Sequence, residues 1–172
     1  TDDFTKIEED HAIRVVVETI GGVEAAYKYT KRALNAGKHV VTANKQLVAE
    51  RGRELLELAE AHNVQYFFEA SVGGGIPLLH PLVNCLGANE IQEVYGILNG
   101  TTNYILSRMD AEGADYADVL ADAQAKGYAE ADPSADVDGF DAASKTAILA
   151  SIGFGTRVTT DDVYQQGIRT IG

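Results

Sequence analysis

Between Arg14 and Ala70 the chain alternates strand, helix, strand, helix and strand with short links, an order that leaves few folds open. Arg14-Val15-Val16-Val17-Glu18-Thr19 is β-branched and mostly apolar, as a strand buried inside a parallel sheet is. Ile20-Gly21-Gly22 breaks it. Val23 to Asn35 then reads as a helix, with Gly37 near its C-terminal end. His39-Val40-Val41-Thr42-Ala43 is a second short strand. Gln46 to His62 is an amphipathic helix whose apolar stripe contains Leu47, Leu55, Leu56 and Leu58. Val64 to Ala70 completes the series. Strands joined through helices predict an α/β fold with a parallel sheet and right-handed crossovers.

The pattern changes after Ala70. Ser71-Val72-Gly73-Gly74-Gly75-Ile76-Pro77 is a glycine-rich loop, followed by an expected helix from Leu78 to Leu86 and an alternating strand from Ile91 to Leu98. Helices are expected from Gly100 to Asp110, with a Thr as N-cap, from Asp115 to Ala125 and from Asp141 to Ile152. Tyr128 to Asp138 is acidic and irregular. The chain therefore divides near residues 70–77, into a parallel α/β part (1–72) and an α+β part (73–172).

Composition narrows the function. With 14 Lys and Arg against 26 Asp and Glu, the net charge of −12 disfavours non-specific binding to nucleic acid or to an anionic membrane. No apolar run approaches the ~18–20 residues of a membrane span. One cysteine excludes an intrachain disulfide framework and fits a reducing compartment such as the cytoplasm. Cys85, on an apolar helix, reads as a small buried hydrophobe rather than a nucleophile. The histidines at 11, 39, 62 and 80 have no metal-ligand spacing.

Four features carry possible chemistry. The glycine loop matches neither the dinucleotide fingerprint nor a Walker loop. It is either a hinge or, with Glu69 beside it, a set of carbonyls and one carboxylate suited to a hard cation. Glu130, Asp132, Asp136, Asp138 and Asp141 crowd a stretch that lacks the calcium-loop pattern, since Lys145 stands where that loop needs Glu. It is either a solvated loop or a binding site. Asp141 and Lys145 are four apart on a helix, in the favourable acid-before-base order. They are an ordinary surface pair or an acid–base group among carboxylates. Lys45 and Thr19 end the second and first strands, and open α/β sheets bind ligands at the carboxyl ends of their strands.

Taken together, Val40–Lys45 (VVTANK), Glu69–Pro77 (EASVGGGIP), Gly96–Leu106 (GILNGTTNYIL) and Gly127–Lys145 (GYAEADPSADVDGFDAASK) resemble homoserine dehydrogenase, in order and across essentially the whole chain. The resemblance implies an NAD- or NADP-dependent oxidoreductase that interconverts L-homoserine and L-aspartate 4-semialdehyde on the route to threonine and methionine. It implies part of a Rossmann-type cofactor domain followed by a substrate-binding and dimerisation domain, and a homodimer. By position it makes Lys145 the catalytic lysine and gives Glu130, Asp136, Asp141 and Lys45 to substrate binding. It gives Thr19, Lys45 and Gly127 to the cofactor. It also gives the Glu69 carboxylate and the carbonyls of Val72, Gly74 and Ile76 to a monovalent cation, sodium, in a structural role.

The pattern is not complete. The family's first strand and its G-x-G-x-x-G turn are absent, so the chain is expected to be a central piece, weak in cofactor binding and slow or inactive alone. The alternative is another Rossmann oxidoreductase acting on a small amino-acid-like substrate. A semialdehyde dehydrogenase with a thiol nucleophile is the natural comparison, and a non-catalytic binding module comes third.

Overall fold

The structure is a computed structural model, and it describes residues 1–171. The fold is α/β. A three-stranded parallel sheet, β1 (Val15–Glu18), β2 (His39–Thr42) and β3 (Tyr66–Phe67), runs in the order β1-β2-β3. Val15 pairs with His39 and Glu18 with Thr42; Val40 pairs with Tyr66. A short α1 (Thr5–Glu9) precedes the sheet. The crossovers are α2 (Glu24–Asn35) and α3 (Lys45–Ala61).

Each crossover helix forms where the sequence supplies an apolar face and a stop. α2 buries Ala26, Thr30, Ala33 and Leu34, one stripe at helical spacing. Gly37, at φ +71°, ends it with the Gly37 N–H on the Leu34 carbonyl and the Lys38 N–H on the Ala33 carbonyl. α3 buries Leu47, Val48, Gly52, Leu55 and Ala59, and Asn63 at φ +54° closes it in the same way.

The C-terminal part is helical: α4 (Gly100–Glu112), α5 (Tyr116–Ala125), α6 (Ser134–Val137) and α7 (Phe140–Gly153). α7 packs on α3. Its Ala147, Ile148 and Leu149 join Leu34, Val40, Leu47, Leu55 and Tyr66 in one core. A smaller core gathers Ile105, Val119, Ala123, Val137 and Ile168 among α4, α5 and α6. Leu34 and Leu47 are fully enclosed, so truncating either to Ala costs about 2–5 kcal/mol.

Four expectations change. β3 is two residues long, because the chain leaves the sheet at Phe68 and turns through a 3-10 segment at Glu69–Ser71, tied by the Ser71 hydroxyl to the Phe68 carbonyl at 2.6 Å. The helix expected at 78–86 is short and mostly a π-helical turn, Pro81–Cys85, closed by the Leu86 N–H on the Pro81 carbonyl. Residues 91–98 are not a strand. The alternation is present, but no described segment pairs with it, and Tyr95 and Ile97 stand exposed. Cys85 is exposed rather than buried, although Leu82 of the same turn packs into the core. Among the described residues no helix is long and apolar enough to cross a membrane.

Candidate active site

Three helices begin at one place. α3 starts at Lys45, α4 at Gly100 and α7 at Phe140, and their first turns meet around the carboxylate of Asp141. Helix N-termini carry unpaired N–H groups and partial positive charge, so an acidic group is stabilised among them.

Asp141 lies in the first turn of α7 with only 8 % of its surface exposed. Its Oδ1 is 3.0 Å from Lys45 Nζ, and its Oδ2 is 2.7 Å from Lys145 Nζ. Asn99 Nδ2 donates to Oδ2 at 2.9 Å. Burial opposes ionisation, but the bonds from Lys145, Asn99 and Lys45 outweigh it and hold the carboxyl below the ordinary aspartate range.

Lys145, one turn further along α7, is largely enclosed, with 17 % of its side chain exposed. Its Nζ donates to Asp141 and to the Leu98 carbonyl at 2.8 Å. An ammonium has three protons, so one remains for a reacting group. Lys45, the first residue of α3, is more open, with 39 % of its side chain exposed. The sequence placed it at the carboxyl end of the second strand; with Asn44 as N-cap it is the first helical residue after that strand.

Asn99 is the residue that sequence reading missed. Its Oδ1 accepts the Thr102 N–H at 2.8 Å and caps α4. Its Nδ2 spans two carboxylates, Asp136 Oδ1 at 2.6 Å and Asp141 Oδ2 at 2.9 Å. The signal was present: in Leu98-Asn99-Gly100-Thr101-Thr102 the better N-cap is the Asn, not a Thr.

The other candidate residues lie around this cluster. Asp136, on α6, joins it through Asn99. The Glu130 side chain is exposed and bonds to nothing among the described residues, but its loop is pinned to α4 by the Thr101 hydroxyl on the Tyr128 carbonyl at 2.9 Å. Gly127, at φ +76°, is the left-handed residue that ends α5 and starts that loop. Thr19 is exposed at the carboxyl end of β1, next to the Ile20-Gly21-Gly22 loop. A large concavity between α3 and the chain after α7 contains none of these residues.

The glycine loop forms a second centre. Glu69 Oε1 accepts the N–H groups of Leu78 and Leu79, and Oε2 accepts that of His80 at 2.7 Å. Burial raises its pKa, but the three N–H groups together bring it below the ordinary glutamate value. The carbonyls of Val72, Gly74 and Ile76 accept no hydrogen bond among the described residues. Carbonyls free of hydrogen bonds and, in the same loop, a carboxylate with one lone-pair site unused are the donor types a hard cation takes. No cluster of three or more His, Cys, Asp or Glu suited to a metal occurs among the described residues.

Comparison with known proteins fits this geometry. Residues 77–172 match the family model for homoserine dehydrogenase, and residues 1–69 match that for the homoserine dehydrogenase NAD binding domain. The homoserine dehydrogenase of Synechocystis is 56 % identical over 171 residues, 99 % of this chain and 40 % of that protein. That of Corynebacterium glutamicum is 57 % identical, again over 99 % of this chain and 38 % of its own length. The chain thus spans about 40 % of the curated relatives it matches. The crystal structure of a homoserine dehydrogenase from Thiobacillus denitrificans superposes with a TM-score of 0.95 at 47 % identity, covering 99 % of this chain and 40 % of that one. A hyperthermophilic archaeal homoserine dehydrogenase in complex with NADPH gives 0.86 at 32 % identity, over 99 % of this chain and 52 % of that one. From its matched segments and its fold, the chain belongs to the homoserine dehydrogenase family.

Proposed function

We propose that the whole protein carrying this chain interconverts L-homoserine and L-aspartate 4-semialdehyde with NAD or NADP, in the biosynthesis of threonine and methionine. The observation that supports this most is Asp141 joined to two lysines, one enclosed and one open, at the meeting of three helix N-termini.

In this reading residues 1–72 belong to the cofactor domain and 73–172 to the substrate domain. Nicotinamide supplies a hydride acceptor or donor when bound. The exposed carboxyl edge of the sheet suits such a group: Thr19 has a free hydroxyl, and the N–H groups of Gly21 and Gly22 donate to nothing among the described residues. Lys45 lies between that edge and Asp141 and serves both cofactor and substrate; Gly127 contributes backbone to the cofactor side.

Lys145 moves the proton. Toward homoserine, its third N–H donates to the oxygen that becomes the hydroxyl. Toward the semialdehyde, its neutral amine accepts the hydroxyl proton as the C–H hydride departs. Asp141 aims the lysine through the 2.7 Å ion pair. Glu130 and Asp136 receive the substrate ammonium through charge-assisted hydrogen bonds, with Asp141 closing the same acidic wall.

Sodium at the Glu69 carboxylate and the Val72, Gly74 and Ile76 carbonyls would brace the junction between the two parts, with no role in proton or hydride transfer. The protein works as a homodimer in the cytoplasm, binding small molecules and neither nucleic acid nor membrane. The test is homoserine-dependent reduction of NAD⁺ and NADP⁺ by the full-length gene product, followed by absorbance. Turnover is expected, and the ratio of the two rates gives the cofactor preference. A folded protein that binds the dinucleotide but ignores homoserine would move the substrate to another small amino acid.

A further inference from the structure

A glutamate ends a strand made otherwise of valines. Glu18 closes β1 with 4 % of its surface exposed, where a buried carboxylate is costly unless its oxygens are bonded. Both are. Oε1 accepts the Ile20 N–H, and Oε2 accepts the Thr42 hydroxyl across the sheet at 2.5 Å. Thr42 Oγ1 in turn accepts the Asn44 N–H at 2.9 Å. The Asn44 side chain closes the ring, its Nδ2 donating to the Ile20 carbonyl at 3.0 Å and to the Gly22 carbonyl at 2.7 Å. The remaining atom, Oδ1, accepts the Leu47 N–H at 3.1 Å and caps α3.

The ring Glu18–Ile20–Asn44–Thr42 thus ties three things: the carboxyl ends of β1 and β2, the β1–α2 loop, and the start of α3 with Lys45. Ile20 is held at both its N–H and its carbonyl. Gly22 is held in a left-handed turn, φ +75°, that a side chain would strain. The loop so shaped leaves the Gly21 and Gly22 N–H groups without acceptors among the described residues, beside an exposed Thr19. A sheet needs none of this to pair, since the ladder is complete from Val15 to Glu18.

We propose that Asn44, supported by Glu18, is a positioning residue for dinucleotide binding: it fixes the β1–α2 loop so that the free N–H groups of Gly21 and Gly22 meet the cofactor. The inference rests on the nicotinamide-cofactor reading above. Asn44 does not touch the reacting atoms; it acts through the loop.

Asn44→Ser and Asn44→Asp test it in the full-length protein. Both side chains still cap a helix, but neither can donate to the two loop carbonyls, serine being too short and aspartate having no donor. Three measurements are made: amide exchange at Ile20–Val23, Kd for NADPH and NADH by direct titration, and kcat. Faster exchange and a Kd raised about five- to tenfold, the scale of one or two hydrogen bonds, are expected, with Tm unchanged and kcat within about threefold at saturating cofactor. Asn44→Gln, which keeps the donor, is expected to recover part of the affinity. Unchanged exchange or unchanged Kd in variants of a wild type that binds would overturn the proposal. A wild type that binds neither dinucleotide would overturn the cofactor reading itself, and the proposal with it.

Discussion

Asp141 and Lys145 stand one turn apart on α7, and the 2.7 Å ion pair between them faces the core rather than the solvent. A pair at this spacing on an open helix face contributes a few tenths of a kcal/mol. Here Asp141 also binds Lys45 and Asn99, so its loss leaves two ammonium groups without their counter-charge. Asp141→Asn is expected to lower kcat/KM for homoserine by at least ~10²-fold and stability by about 1–3 kcal/mol. Steady-state rates and a urea titration check both numbers. An active Asp141→Asn enzyme would show that the carboxylate is only structural.

Asn99 separates folding from chemistry. Asn99→Ala removes both the cap of α4 and the bridge between Asp136 and Asp141, at about 1 kcal/mol for the cap. Asn99→Ser keeps the cap and loses only the bridge. The serine variant is therefore expected to melt within a few degrees of wild type yet to show a KM for homoserine raised about tenfold. Equal activity in serine and wild-type proteins would remove the bridge from the site.

Much of this was legible in the sequence. The βαβαβ order follows from apolar strands, amphipathic helices and the left-handed stop at Gly37, all local signals. So does the pairing of Asp141 with Lys145, which helix geometry dictates. What was hidden is what needs a partner from elsewhere in the chain. Residues 91–98 alternate like a strand but have no described neighbour to pair with. Cys85 looked buried because its neighbours are apolar, yet it is Leu82 of the same turn that packs into the core while Cys85 stays exposed. The double roles of Asn44 and Asn99 escaped because a cap predicts the oxygen's partner and says nothing of the nitrogen's. The candidate residues were named from motifs; the convergence of Lys45, Asn99 and Lys145 on one carboxylate required the packing of α7 on α3.

Acid should unfold the protein through its bonded carboxylates. Asp122 binds Lys126, Tyr104 and Arg108, and is brought down to about 2 from an ordinary 3.8. Glu69 and Asp141 are also depressed, each against its own burial. A depressed carboxylate contributes stability that is fully present above its unfolded pKa and lost as pH falls through the folded one. Stability is therefore expected to be flat near neutrality and to fall from about pH 4.5 toward pH 2. Chemical denaturation at a series of pH values measures this. A decline that begins above pH 6 would assign the loss to other groups.

The cation site is tested by exchanging salts. Replacing sodium and potassium with choline at constant ionic strength is expected to lower Tm, with a proportionate loss of activity and no change in the pH profile. Glu69→Gln is expected to weaken that salt response and also the anchoring of the Leu78–His80 turn. Full stability and activity after complete removal of both cations would dismiss a structural cation at this loop.

In the proposed reaction Lys145 moves the proton, and one comparison tests that role most directly. The rate of semialdehyde-dependent NADPH or NADH oxidation is measured for the full-length wild type and for Lys145→Ala at saturating cofactor. A loss of at least ~10²-fold in kcat, the scale of general acid–base catalysis, is predicted, with cofactor affinity preserved. A fall of less than about threefold in a folded variant would remove Lys145 from the mechanism.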